Sequence, residues 1–185
     1  MDLYLIRHPA PQVAPGVCYG RSELDVSTND VARIACELAP RLPSGAPFYA
    51  SPMQRCLALA DALGGARVHY DLRLAELDFG AWEMQAWDSV ARAEIDAWAA
   101  DPVHYRPGDG ESVLQMAVRV AAFHAELRAL RHARAVVLCH AGSMRLLCAG
   151  QRGLAPLQMA QAAASAAHQI GYGELLFVPD QRIDV

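Results

Sequence analysis

The chain has 185 residues, a hydrophobic fraction of 54% and a formal net charge of −4. This length fits one compact domain with its own core, and the acidic balance argues against nucleic acid as a partner. All 16 basic residues are Arg, which excludes the lysine-dependent Walker-type phosphate loops and Schiff-base enzymes.

The sequence contains no segment with the character of a membrane anchor. No apolar stretch has the length of a membrane span, and Asp2 and Arg7 interrupt the apolar segment near the start, so neither a signal peptide nor a membrane partner is expected. Five cysteines form an odd count without paired spacing, which fits reduced thiols. We therefore expect a cytoplasmic protein, and a homodimer stays open.

The first predicted element is a strand in the segment LYLIRHP, and it ends on Arg7 and His8. Such a strand delivers a cation and an imidazole to the C-terminal edge of a parallel sheet, where open α/β folds bind their ligands. This pair suits an anion, and phosphate above all. Arg-His pairs are also common at ordinary strand ends, so the pair does not establish a site without further support.

The next elements add a second arginine. The loop after the first strand contains the segment CYGR, and a helix capped near Ser27 or Thr28 follows it. A strand, a helix and a strand are predicted over residues 48–70. A Ser-Pro pair marks the start of this second helix, which carries Arg55 in its first turns.

An acidic loop and a Trp-rich region form the middle of the chain. The loop LAELDFGAWE contains Glu76, and residues 79–106 have a helical pattern that predicts a flap over the strand ends. The three Trp residues of this region could line a pocket for an apolar or ring-bearing leaving group. Aromatic residues at this spacing more often pack a flap onto the body of a protein, and we favour that interpretation.

The last part of the chain repeats the strand-then-His design. PGDGES begins a long amphipathic helix, and a buried strand over residues 135–138 then leads to His140. A helix from Ser143, an Ala-rich helix around residues 161–167 and a final strand, YGELLFV, complete the pattern. The alternation predicts a three-layer α/β/α sandwich with a mostly parallel central sheet. Its strand ends would bring together the residues that can act on an anion, namely Arg7, His8, Arg55, Glu76 and His140.

Five segments, RHP, SPMQRC, LAELDFGAWE, PGDGES and CHAGSMR, have the order and spacing of the histidine phosphatase superfamily, branch 1. The chain resembles this phosphoglycerate mutase-like family over most of its length. The resemblance implies a single histidine phosphatase domain over residues 1–185 that works without a cofactor. The remaining histidines lack the spacing of a metal pair, so no metal ion is expected. Pro9 and Met84 stand where the family usually has Gly.

The resemblance implies a phosphomonoesterase, and the chemistry of the residues agrees with it. A neutral His8 is not repelled by a phosphate ester and would form a phosphohistidine that water hydrolyses. Arg7, Arg55 and a protonated His140 would bind the charged oxygens in the transition state. Glu76 would protonate the leaving oxygen and then activate the water. Taken singly, His140 or Glu76 could be an ordinary polar residue, but the five-part pattern favours the catalytic roles.

The segment GVCYGRSELDVS is similar to a segment of α-ribazole phosphatases within the family, which implies α-ribazole 5′-phosphate as the small phosphate-ester substrate. The residues expected to bind it are Arg7, Tyr19, Gly20, Arg21, Arg55, His140 and Ala141. A general or sugar-phosphate phosphatase is the first alternative. A phosphoglycerate mutase fits the motifs less well. A phospholigand-binding protein without activity would not need all five catalytic positions.

Overall fold

A mixed five-stranded sheet forms the centre of the protein, seen here in a computed structural model that describes residues 1–64, 67–165 and 170–180. The strands are β1 (Asp2–Arg7), β2 (Phe48–Ala50), β3 (Val68–Tyr70), β4 (Arg134–Cys139) and β5 (Leu175–Val178). Their order is β3-β2-β4-β1-β5. Every neighbouring pair is parallel except β1 with β5, which confirms the predicted mostly parallel sheet.

The described residues form six α-helices on the two faces of the sheet and in the flap. They are α1 (Thr28–Leu38), α2 (Gln54–Gly64), α3 (Arg92–Ala100), α4 (Val113–Ala129), α5 (Ala141–Gln151) and α6 (Pro156–Ser165). Ser27 caps α1 by accepting a hydrogen bond from the backbone of Asp30. Ser112 and Gln115 form a reciprocal capping box at the start of α4, which satisfies two backbone groups that the helix leaves unpaired.

The two central strands are buried on both faces, which explains their continuous apolar sequences. Leu3 and Leu5 point toward the cluster that α4, α5 and α6 cover, while Ile6 points toward the cluster that α1 and α2 cover. In β4, Val137 belongs to the first cluster and Leu138 to the second. These two clusters on opposite faces make the three layers of the predicted sandwich.

Residues 79–106 contain short 3₁₀ turns and α3, in agreement with the predicted helical flap. A third apolar cluster holds the flap together around Cys18, Trp82 and Val90. Trp82 is 3% exposed, and the rings of Trp87 and Trp98 stack with centroids 6.0 Å apart. Packing therefore accounts for Trp82, as the sequence analysis favoured.

Three predicted boundaries differ from the structure. The helix predicted from Ser143 begins two residues earlier because His140 takes the N-cap position of α5. The segment YGELLFV pairs as a strand only from Leu175, since the preceding residues form a turn. The Ala-rich stretch is helical to Ser165, and residues 166–167 lie outside the described residues.

The structure gives a reason for the Gly that the family usually has in place of Met84. Met84 has φ of 63°, in the left-handed region that favours glycine. Its backbone N–H donates a 2.8 Å hydrogen bond to the carbonyl of Cys18, which joins the flap to the loop after β1.

Among the described residues, none of the helices has the length and apolar character that crossing a membrane requires.

Candidate active site

The pairing of β1 with β4 places two histidines side by side. His8 continues the ladder, because its backbone N–H donates to the carbonyl of Cys139 at 3.1 Å. The ring centroids of His8 and His140 are 5.0 Å apart, and the two residues are 2% and 0% exposed. The predicted meeting of these strand ends is therefore observed.

The tautomer of His8 is set by the residue that follows it. Nδ1 lies 2.7 Å from the carbonyl oxygen of Pro9, and a carbonyl only accepts, so we assign the ring proton to Nδ1. Burial first, and then the charges of Arg55 and Arg7, lower the pKa of His8 to about 3. At neutral pH, Nε2 therefore has an unprotonated lone pair, as a nucleophile requires.

His140 is oriented by Ser51. The hydroxyl of Ser51 accepts a hydrogen bond from the backbone of Met53 and lies 2.8 Å from Nε2 of His140. If the hydroxyl donates to Nε2, the ring proton is on Nδ1, which is buried and has no hydrogen-bond partner among the described residues. Nδ1–H would then be free to donate to a ligand oxygen.

The protein surroundings of His140 by themselves disfavour the protonated ring that is expected to bind a phosphate. Burial, followed by electrostatic coupling to the His8 ring and the positive charge of Arg55, keeps the pKa of His140 well below its ordinary value. A positive charge is costly in such a setting because water cannot solvate it. His140 is therefore neutral at pH 7 here, and only an added negative charge would favour its protonation.

Two arginines flank the histidines, and backbone carbonyls hold both of them. Arg55 is fully buried and donates to the carbonyls of Ser22, at 2.8 Å, and of Gly20. Arg7 donates to the carbonyl of Ile170. A carbonyl partner orients a guanidinium without neutralising its charge, so both groups keep their attraction for an anion.

Glu83 holds the loop that orients Arg55. Its carboxylate accepts the backbone N–H groups of residues 20–22 at 2.9, 2.9 and 3.1 Å. Burial raises the pKa of Glu83, but the hydrogen bond from the Ser22 hydroxyl and those from backbone N–H groups outweigh it, and the pKa is lowered. Gly20 is required for this close approach, because a Cβ atom there would lie 1.8 Å from the carbonyl oxygen of Leu77. The CYGR and WE segments therefore cooperate in placing Arg55.

Glu76 reaches the N-terminus of α5. Its Oε2 accepts the backbone N–H of Gly142 at 3.1 Å, and its Oε1 accepts the backbone N–H of Leu77 at the same distance. A Cβ atom at Gly142 would lie 2.3 Å from Oε1, so any other residue there would displace the carboxylate from this position. The carboxyl is therefore placed next to the helix end that begins at His140.

Arg119 supports the loop that carries Glu76. From α4 it donates to the carbonyls of Arg73, Ala75 and Glu76 at 2.7, 2.8 and 3.0 Å. Its other edge pairs with both carboxylate oxygens of Glu111 at 2.7 Å. Sequence reasoning missed Arg119, since only the folded loop presents three carbonyls to one side chain.

A cavity of about 360 Å³ opens onto these groups. The polar side chains of its lining are those of Arg7, His8, Tyr19, Arg55 and Glu76, next to Ala141 and Gly142 of α5. The rest of the lining is mostly apolar, with Leu77, Phe79, Trp98, Pro102, Val113, Met116, Leu146, Ala163 and Ala164. Trp98 therefore combines its packing in the flap with a place in the cavity wall.

Some predicted binding residues do not line the cavity. The ring of His140 packs against that of His8, with centroids 5.0 Å apart, and Gly20 contributes its carbonyl to Arg55. The guanidinium of Arg21 lies 3.5 Å from Glu111 and 3.9 Å from Asp78, at the base of the flap. Arg21 therefore takes part in ion pairs with these carboxylates and does not line the cavity.

The structure adds Arg145 and Tyr172 to the neighbourhood of the site. Arg145 lines the cavity one helical turn after Ala141, a spacing that the sequence contains within CHAGSMR. The ring of Tyr172 covers the guanidinium of Arg7, but the sequence pattern of its segment predicts a strand.

Among the described residues there is no group of three or more His, Cys, Asp or Glu side chains that could hold a metal ion.

Comparison with known proteins establishes the family. Residues 3–171 match the model of the histidine phosphatase superfamily (branch 1), and the chain belongs to that family. The crystal structure of the α-ribazole phosphatase from Shigella flexneri is similar with a TM-score of 0.78 and 24% identity, covering 95% of this chain and 88% of that chain. A mycobacterial glucosyl-3-phosphoglycerate phosphatase has a TM-score of 0.72 and 26% identity, covering 86% and 83%.

A curated protein from Hydrogenobacter thermophilus named "Putative phosphoserine phosphatase 2" is 25% identical over 154 residues, or 78% of this chain and 75% of that protein. The family and these relatives define a phosphatase with the phosphoglycerate mutase-like fold, as the resemblance implied. The names of the three relatives refer to three different substrates.

Acidification should destabilise the protein through His8. Its pKa is about 3 when folded and 6.5 ordinarily, so between these values the unfolded chain binds a proton that the folded protein does not, and stability falls as the pH falls. Between pH 7 and pH 5, His8→Asn should lose about 2 kcal/mol less free energy of unfolding than the wild type. Urea unfolding at both pH values measures this difference, and equal losses would contradict a buried neutral His8.

Proposed function

We propose that this phosphatase hydrolyses α-ribazole 5′-phosphate through a phosphohistidine on His8. The observation that carries the proposal is the lining of the cavity, which combines cations and an unprotonated imidazole with an apolar, aromatic wall. The phosphate fits the cations and the imidazole. An uncharged leaving group with a flat apolar ring fits the wall, as the dimethylbenzimidazole of α-ribazole does.

The first half of the reaction transfers the phosphoryl group to the enzyme. Nε2 of His8 forms a bond to phosphorus while the bond from phosphorus to the ester oxygen breaks. Arg7 and Arg55 stabilise the charge on the equatorial oxygens. Glu76, in its protonated form, gives its proton to the departing ribose oxygen. The products of this half are α-ribazole and phosphohistidine.

The second half returns His8 to its free state. Glu76, now a carboxylate, accepts a proton from a water molecule as the water oxygen bonds to phosphorus and the bond to Nε2 breaks. Inorganic phosphate then leaves. Throughout, the bound dianion supplies the negative charge that favours a protonated His140, whose ring centroid lies 5.0 Å from that of His8.

The choice of substrate rests on the apolar wall of the cavity. Phe79 and Trp98 offer aromatic surface for ring stacking, and a sugar or glycerate would leave this surface without an apolar partner. The Shigella flexneri α-ribazole phosphatase has the same fold. Arg145 favours a second candidate, a phosphatase for an ester whose leaving group carries a carboxylate, because it adds a cation to the cavity lining.

The nucleophile can be tested by trapping the intermediate. His8→Ala should abolish turnover, because His8 is the only histidine among the described residues that line the cavity. Rapid quenching of the wild type with ³²P-labelled substrate should yield acid-labile phosphate on His8. Label on a different residue would overturn the mechanism, and near-ultraviolet circular dichroism would show that the variant is folded.

The role of Glu76 can be separated from binding by the choice of leaving group. Glu76→Gln should lower kcat about a hundredfold for an alkyl phosphate, whose oxygen needs a proton. The loss should be much smaller for p-nitrophenyl phosphate, because its leaving group is stable as an anion. Steady-state kinetics with both esters measures the difference, and equal losses would remove Glu76 from the role of acid.

The substrate can be tested by comparing α-ribazole 5′-phosphate with ribose 5-phosphate, which lacks the base, and with 3-phosphoglycerate. The kcat/KM for α-ribazole 5′-phosphate should exceed that for ribose 5-phosphate and for 3-phosphoglycerate by about a hundredfold, the scale of a few well-made contacts. Trp98→Leu should reduce the ratio between the first two substrates about tenfold. A preference for 3-phosphoglycerate or phosphoserine that Arg145→Gln abolishes would favour the second candidate instead.

A further inference from the structure

The turn at residues 170–174 holds the end of β1 by its backbone. The backbone N–H of Arg7 donates to the carbonyl of Glu174 at 3.0 Å. The N–H of Gly173 lies within hydrogen-bond distance of the carbonyls of Arg7 and His8, at 3.1 and 3.2 Å. The turn is therefore attached directly to the two residues that begin the active site.

The same turn places an aromatic ring against the first arginine. Cζ of Arg7 lies 3.8 Å from the ring centroid of Tyr172, and the hydroxyl of Tyr172 is 2.6 Å from the hydroxyl of Tyr19. The ring of Tyr19 in turn lies 5.7 Å from Cζ of Arg55. We call Tyr19 and Tyr172 the aromatic bridge, since they connect the two arginines of the site.

The aromatic bridge holds the two arginines that line the cavity without neutralising their charges. Two guanidinium groups near each other repel, and a carboxylate between them would neutralise the charge that a phosphate must find. Of the ion pairs among the described residues, none includes Arg7 or Arg55. An aromatic face attracts a cation through its quadrupole and leaves the N–H groups at the edge of the guanidinium available.

We propose that Tyr172 is a positioning residue for Arg7, and that the hydroxyl pair of the aromatic bridge fixes Arg7 relative to Arg55 before phosphate binds. The proposal rests on the phosphate-binding role of the two arginines in the proposed function. It does not depend on the identity of the leaving group. Its consequence is that residues distant in sequence from the catalytic motifs determine how well the site binds a tetrahedral or pentacoordinate anion.

The stacking contact can be tested by removing the ring. Tyr172→Leu should lower kcat with p-nitrophenyl phosphate and weaken inhibition by vanadate, each about fivefold. Phe177→Leu is the matched control, because Phe177 is a similarly exposed aromatic residue (51% against 44%) that contacts Tyr4 instead of an arginine. Equal vanadate inhibition constants for Tyr172→Leu and the control would overturn the proposal, provided that thermal unfolding shows both to be folded.

A double-mutant cycle shows whether Tyr172 acts through Arg7. Arg7→Ala alone should weaken vanadate inhibition strongly, and adding Tyr172→Leu should then have no further effect. Independent effects of the two changes would contradict the proposal while leaving the proposed function intact. If Arg7→Ala itself leaves vanadate inhibition unchanged, the proposed function fails at the phosphate site, and the proposal for Tyr172 fails with it.

The hydroxyl pair has its own test. Tyr19→Phe and Tyr172→Phe each remove one hydroxyl and keep the ring, so each should weaken vanadate inhibition by about the same two- to threefold. The double variant should be no weaker than either single variant, because the bond is already lost in both. Effects that multiply in the double variant would show that the two hydroxyls act separately. They would contradict the proposed role of the hydroxyl pair in fixing Arg7 relative to Arg55.

Discussion

The parallel pairing of β1 with β4 is the constraint on which the site depends. The two strands are the most deeply buried in the sheet, and their common direction brings His8 and His140 to one edge with ring centroids 5.0 Å apart. The apolar layers that stabilise this pair also exclude water from both rings. Burial is accordingly the largest cause of the lowered pKa of each histidine. Core packing and the neutral state of both histidines thus have one physical origin.

Uncharged groups of the protein hold the two arginines that lie near this pair of histidines. Carbonyls and aromatic faces hold Arg7 and Arg55, whereas carboxylates act one step away, as Glu83 does through the loop at residues 20–22. Arg119 and Glu111 form a tight ion pair, but on the far side of the Glu76 loop. Because of this separation, the positive charges of Arg7 and Arg55 are not neutralised by an ion pair among the described residues. The chain as a whole has a net charge of −4, so the attraction of the pocket for an anion does not follow from the overall charge.

The sequence was informative where one local rule sets a residue's position. Strand ends, helix starts and their order along a parallel sheet placed His8, Arg55 and His140 correctly, because these depend on periodicity and on the edge at which parallel strands finish. Tyr172 was not predictable, since an apolar segment gives no sign that its first residues turn and cover Arg7. Arg119 and Glu83 were missed for a related reason: their partners are backbone groups of loops, and a sequence does not show which way a carbonyl or an N–H points.

The hydrogen bond from His8 to the carbonyl of Pro9 has a consequence for the whole catalytic cycle. Because the acceptor belongs to the adjacent residue, the bond does not depend on any distant element, and it involves the nitrogen that takes no part in the transfer. In the proposed reaction the ring can therefore gain and lose a phosphoryl group at Nε2 while the proton on Nδ1 never leaves. The imidazole needs neither to rotate nor to exchange tautomers between successive turnovers, so each cycle ends with a ring already aligned for the next substrate.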